Sequence, residues 1–215
     1  MGFLRGEGAK AIGLRPPAIR PNAAAVVSWF RQLGAGMLSG ETFLRAYWYD
    51  GAFDPSHRDY AGQRVFFDAI AQTPGIQLRL GHIAEHAPKL ERPIRSALRN
   101  TARALGLDPE HLLKELENHW TFRPERQQKG VDTLIALDMV RLAGRAVCST
   151  AVLVSGDRDL AEAVRAAQDF GVRVLVATPS RPSVARQVAQ LADEVIDISP
   201  EDLRAMLPRR PEPMQ

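Results

Sequence analysis

Asp157 and Asp159 stand one residue apart directly after the short apolar run Thr150 to Val154, in the segment TAVLVSGDRDL. Paired carboxylates at the carboxyl end of a buried strand have the chemistry of a metal site, because clustered carboxylates repel unless a cation or a proton lies among them. In open α/β sheets, ligands bind outside those strand ends. The following run, LAEAVRAAQDFG, reads as a helix closed by Gly171, which puts the acids at a strand-to-helix turn. The same Asp-x-Asp spacing also serves as an N-cap plus a first-turn acid, and from this segment alone both readings stand open. A further acid, Asp132, falls in the first turn of the helix predicted over Val131 to Ala143. Adjacent βα units can bring the three carboxylates to one crevice.

Other residues compete for a role. Asp138 follows Asp132 by six positions, which turns it away from that face and favours a structural or partner-binding role. Asp50 ends a predicted strand, where either a site or an Asp-Gly turn would account for it. His82 and His86 have the i, i+4 spacing of helical metal ligands, but they follow a strand pattern with no Glu placed for zinc-protease chemistry. Asp193, Glu194 and Asp197 read as surface acids. Trp29, Trp48 and Trp120 read as core or interface residues, Trp120 being the exception to watch because it adjoins a basic segment. Lys129 reads equally as a phosphate contact or a solvated loop lysine.

The elements that must position these groups alternate. Helices are predicted over Ala23 to Leu33, capped by Asn22, and over Gly62 to Ala71; strands over Thr42 to Tyr49, with an Asp50-Gly51 turn, and over Ile76 to Ile83. After the Val131 helix come strands at Ala151 to Val154 and Val172 to Ala177, a helix over Pro179 to Ala192 and a strand at Val195 to Ile198. Residues 1 to 20 are rich in Gly, Pro and Arg, and Arg15-Pro16-Pro17 breaks any helix there. This alternation predicts a parallel, doubly wound sheet in an α/β domain. From about 87 to 128 the chain turns basic, with Lys89, Arg92, Arg95, Arg99 and Arg103 along one side of a helix, either a solvated face or a nucleic-acid surface. The tail over 208–215 is expected to be disordered.

Composition limits the classes available. The 215 residues suffice for one domain, and 28 basic against 25 acidic residues give a charge of +3, too balanced to announce a nucleic-acid partner by itself. The single cysteine, Cys148, excludes an internal disulfide and a four-ligand Cys/His zinc pattern, and points to a reducing, cytoplasmic setting. Neither a membrane span nor a signal peptide is legible.

Considered together, QKGVDTLIALDMVRLA, LVSGDRDLAEAVRAAQDFGVRVLVA, LADEVIDIS and YWYDG resemble the NYN domain family, the LabA-like branch of PIN-fold nucleases, from Gly2 to about Ser199. The resemblance implies a three-layer α/β/α domain over 1–207 with a basic helical insertion around 87–128. It implies a metal-dependent ribonuclease, with Asp132, Asp157 and Asp159 as catalytic ligands of one or two Mg²⁺ or Mn²⁺ ions. Ser155, Lys129, Arg92, Arg95 and Arg99 would contact single-stranded RNA or orient a ligand, and a homodimer is left open. In this family the first strand ends in an aspartate of the metal site, followed by a short helix. Gly2 to Gly8 resembles the text just after that aspartate, so the strand and its acid are missing here. In a PIN-like sheet that strand is central, and each backbone group left unpaired and buried costs on the order of 1 to 3 kcal/mol. We therefore expect Met1 to be a late start assignment; a natural Met1 would favour an RNA-binding or regulatory module without turnover. A third reading, a haloacid-dehalogenase-like phosphatase with Asp157 as nucleophile, ranks last because that motif normally opens its domain.

Overall fold

Strands β4 (Thr150–Leu153), β5 (Arg173–Thr178) and β6 (Glu194–Asp197) pair in parallel in that order. Both faces of β5 are covered, so it reads as a continuous apolar run: Val174, Leu175, Val176 and Ala177 are all fully buried. The computed structural model describes residues 2–36, 38, 40–86, 92–119 and 125–210. Among them, a second sheet holds β1 (Ala46–Ala52), β2 (Ile76–His86) and β3 (Glu125–Lys129) in the order β1-β2-β3, with β1 and β2 parallel from Ala46↔Ile76 to Ala52↔His82. One continuous doubly wound sheet was expected; the strands described here form two.

Alternation along the strands sorts helices to two faces. Leu175 and Ala177 join Trp48, Phe67, Ile70 and Ile196 in a core with α1 (Gly2–Ala11), α2 (Ala23–Ala35), α3 (Tyr60–Ala71) and α9 (Pro200–Met206). Val174, Val176 and Leu153 point the other way, towards α6 (Val131–Gly144), α7 (Ala161–Asp169) and α8 (Arg186–Leu191). This is a three-layer α/β/α arrangement. Each fully buried Val or Leu in these layers contributes about 1.5 to 3 kcal/mol. Asn22 caps α2 as expected, its side chain accepting from the Ala25 N–H at 3.2 Å.

Several elements differ from expectation. The glycines of residues 2–11 did not prevent α1, because Leu4 and Ala9 are buried and Gly8 lies against Leu203 and Leu207, so packing outweighs propensity. Asp50 and Gly51 continue β1, paired with Leu80 and Gly81, rather than turning. The helix expected over Pro179 to Ala192 splits into a 3-10 turn, Arg181–Ser183, and α8, because the hydroxyls of Thr178 and Ser183 both bond to the Ser180 carbonyl. Helix α9 was not foreseen, although Ser199 caps it, Pro200 opens it and Glu201 and Asp202 follow. Pro208 and Arg210 bond to Arg20 and Ala18 instead of beginning a disordered tail; 211–215 lie outside the described residues, as do Lys89 and Trp120.

Residues 83–127 form a separate compact unit. Within it, α4 (Arg92–Ala104) and α5 (Pro109–His119) make a helical hairpin that buries Ala102 and Leu113. Arg95 is ion-paired with Glu117, and Arg99 with Glu110 at 2.9 Å.

Asp138 ties α6 to the first sheet. Its carboxylate accepts from the Tyr49 hydroxyl at 3.0 Å and from Arg79 Nε at 3.1 Å, with the Arg79 guanidinium 5.5 Å from the Tyr47 ring. Burial, then the charge of Asp138, push the Tyr49 hydroxyl far above its ordinary range. Replacing the carboxylate removes charge-assisted bonds in a half-buried setting. Asp138→Ala is expected to lower unfolding stability by about 1 to 3 kcal/mol in urea titration, and a change below about 0.5 kcal/mol would count against this network.

Candidate functional site

The chain leaves β4 and turns sharply through Ser155, Gly156 and Asp157 before a 3-10 turn, Arg158–Leu160, leads into α7. A side chain at Gly156 would overlap the Ser183 carbonyl and crowd the Phe3 ring, so only glycine lets this turn press against the 183–185 segment. The Gly156 carbonyl accepts from the Ala185 N–H at 2.9 Å, which fixes the turn from outside. Ser155 is buried, and its Oγ accepts from the Asp157 N–H at 3.3 Å.

Asp157 does what a cap does: its carboxylate accepts from the Asp159 N–H at 3.0 Å. The capping reading of the Asp-x-Asp spacing is therefore correct for one oxygen. The other oxygen has no printed bond within the turn, and both aspartate side chains are exposed at the rim. The third carboxylate arrives on α6. Gly130, at φ +77°, makes the left-handed turn from β3 into that helix, and Asp132 occupies its first turn. The 3-10 turn packs directly on α6.

Burial, and after it the negative charges of Asp157 and Asp159, raise the Asp132 carboxyl above its ordinary value. The three acids therefore share one electrostatic neighbourhood. In kind they suit a hard divalent cation, which prefers carboxylate and water oxygens. In number they fall short: among the described residues no group of three or more His, Cys, Asp or Glu side chains is arranged to hold a metal ion.

The remaining candidates separate from this cluster. Asp50 accepts from Gln128 Nε2 at 2.7 Å and from the Gly51 N–H at 2.9 Å. Asp138 is committed to Tyr49 and Arg79. Asp193 receives Gln168 and the Val174 N–H, which hold its carboxyl below the ordinary range, while Glu194 and Asp197 pair with Arg173 and Arg181. Trp29 and Trp48 are core residues, and His82 lies on strand β2. Lys129 ends β3 beside Gly130 with its side chain exposed. Arg92 is exposed on α4, while Arg95 and Arg99 carry their acidic partners from α5. The bond between Gln128 and Asp50 was not anticipated, and no sequence spacing signals it.

Like charges at this rim have a measurable signature. Because the folded Asp132 carboxyl lies above its ordinary 3.8, the folded state resists its ionisation. That cost is absent below the ordinary range and grows as pH rises through it towards the raised folded value. Asp132→Asn is expected to melt with wild type near pH ~3 and above it near pH ~7, by a few tenths of a kcal/mol after solvent screening. A variant less stable than wild type at the higher pH would contradict the repulsion.

Comparison with known proteins agrees with this architecture. The NYN domain model matches residues 18–199. The uncharacterized protein y4oD of Sinorhizobium fredii is 46% identical over 69 residues, an alignment that spans 31% of this chain and 32% of that protein. A crystal structure of a protein of unknown function from Vibrio parahaemolyticus aligns over 89% of this chain and 85% of its own, at 16% identity and a TM-score of 0.43. With the family model spanning most of the sequence, the chain belongs to the NYN domain family.

Proposed function

We propose that this protein is a divalent-metal-dependent nuclease acting on single-stranded RNA, with Asp132, Asp157 and Asp159 contributing the metal ligands. The observation that carries this reading is the arrival of carboxylates from two successive βα units at one rim, on α6 and on the 3-10 turn packed against it. Family membership supports a PIN-like nuclease scaffold. Such an ion would neutralise charge on a phosphate and lower the pKa of a bound water. The chain's own contribution is positional. Asp157 is oriented through Ser155 and the Asp159 N–H, and the clamp on Gly156 keeps the turn from relaxing away from its neighbours. Lys129, one residue before Gly130, supplies a cation that can reach a phosphate. Arg92, Arg95 and Arg99 on the helical hairpin add phosphate contacts, with Arg95 and Arg99 partly neutralised by Glu117 and Glu110.

A second reading, an RNA-binding module without turnover, draws on two observations. The carboxylates do not converge as a complete ligand set among the described residues, and two of the hairpin arginines already have acidic partners. Labelled single-stranded RNA with Mn²⁺ separates the two. The nuclease reading expects cleavage that EDTA abolishes and that Asp157→Asn slows about 100-fold or more, equivalent to about 2.7 kcal/mol of barrier. Binding that persists in EDTA, with no cleavage in Mn²⁺, would establish the second reading instead.

A further inference from the structure

The two sheets face each other across an apolar cleft of about 520 Å³. One wall is β1, through Ala46, Tyr47, Trp48 and Tyr49; the other is β4, through Ala151, Val152 and Leu153. Each of these strands is paired on one side alone, β1 with β2 and β4 with β5. Parallel strands covered by helices on both faces are ordinarily buried, as β5 is, yet β1 and β4 are largely half-exposed. Trp48, in the β1 wall, carries a buried indole N–H with no acceptor. Interiors are close-packed, and an apolar void of this size between two unpaired strand edges is the shape left by an absent strand.

Both walls point the same way. At their amino ends, Glu41 ahead of β1 accepts from Ser149 Oγ at 2.9 Å and from Thr150 Oγ1 at 2.7 Å at the start of β4. At their carboxyl ends, Gln128 reaches Asp50, Gly2 adjoins Gln128, and Phe3 adjoins Gly156. Helix α1 thus begins at the rim where β1 and β4 finish, and Leu4 lines the cleft. A segment joined to the amino end of α1 can enter the cleft only by running parallel to both walls.

We propose that the cleft is the acceptor for one further β-strand, formed by residues joined to the amino end of α1 ahead of Met1, which unites the sheets in the order β3-β2-β1-new strand-β4-β5-β6. The strand spans four to seven residues, the lengths of β4 and β1, or about 13 to 23 Å. It pairs its backbone with both walls, and its side chains alternate between the two helical layers. Its last residue emerges beside the turn at Gly156, on the rim that carries Asp157.

Cys148 lies in the lining of the cleft and is the only cysteine, so its thiol reports occupancy. The experiment compares the 215-residue chain with the same chain lengthened by the residues encoded in frame immediately upstream. Lengthening is expected to slow Cys148 modification by a thiol reagent about tenfold or more, to protect backbone amides of β1 and β4 from hydrogen exchange, and to leave a monomer. Equal labelling and exchange in the two forms would overturn the proposal, as would protection that appears only in a dimer, which would make a second copy the occupant. An upstream sequence with no short apolar run would overturn it as well. Should the shorter form fail to fold, the lengthened form decides alone, through a shielded Cys148 or an open one. None of these readouts depends on RNA cleavage, so this proposal and the nuclease reading fail separately.

Discussion

In a parallel sheet every strand delivers its following loop to the same rim, and in this protein that constraint governs where chemistry can occur. Strands β4, β5 and β6 run in one direction beneath helices on both faces, so the turn after β4 has no interior path to take. It is held instead by the close approach of Gly156 to Ser183 and by the bond from Ala185. Asp157 and Asp159 therefore meet solvent at a fixed place, and α6 brings Asp132 to the same neighbourhood. Mutual repulsion there works against folding, and a cation is the group that would reverse its sign.

The same backbone logic explains the divided sheet. A strand edge exposes alternating donors and acceptors that need partners or water, and apolar walls around such an edge deprive it of water. The facing edges of β1 and β4 are in that condition, with Trp48 lacking an acceptor in one wall. The clamp of Glu41 on Ser149 and Thr150 keeps the walls aligned at their amino ends, and the Asp138 network joins α6 to β1 and β2. The frame of a larger sheet is present around the cleft.

What the sequence disclosed depended on how local the causes were. The Asn22 cap, the helix from Val131 and the apolar runs of β4 and β5 are set by neighbours within a few residues, and they lie within a residue or two of expectation. Asp50-Gly51 carried a turn signal, but pairing with Leu80 and Gly81 kept it in β1. Strand β3, polar throughout as Glu-Arg-Gln-Gln-Lys, has no apolar alternation to reveal it and exists through its sheet neighbour β2. The arginines of α4 were visible as a basic row, whereas their acidic partners on α5 became apparent only when the hairpin closed. At the site, the acids were legible as residue types and spacing. Their dual use, with Asp157 both capping a turn and presenting a carboxylate, required coordinates.

The account rests on these acids forming a cation site. Its most direct test is titration of Mn²⁺ into the lengthened chain, followed by electron paramagnetic resonance of the free ion, for wild type and for the Asp132→Asn and Asp157→Asn variants. The account predicts saturable binding in wild type that weakens by about tenfold or more in each variant. Saturable binding that both substitutions leave unchanged, or no saturable binding at all, would contradict it.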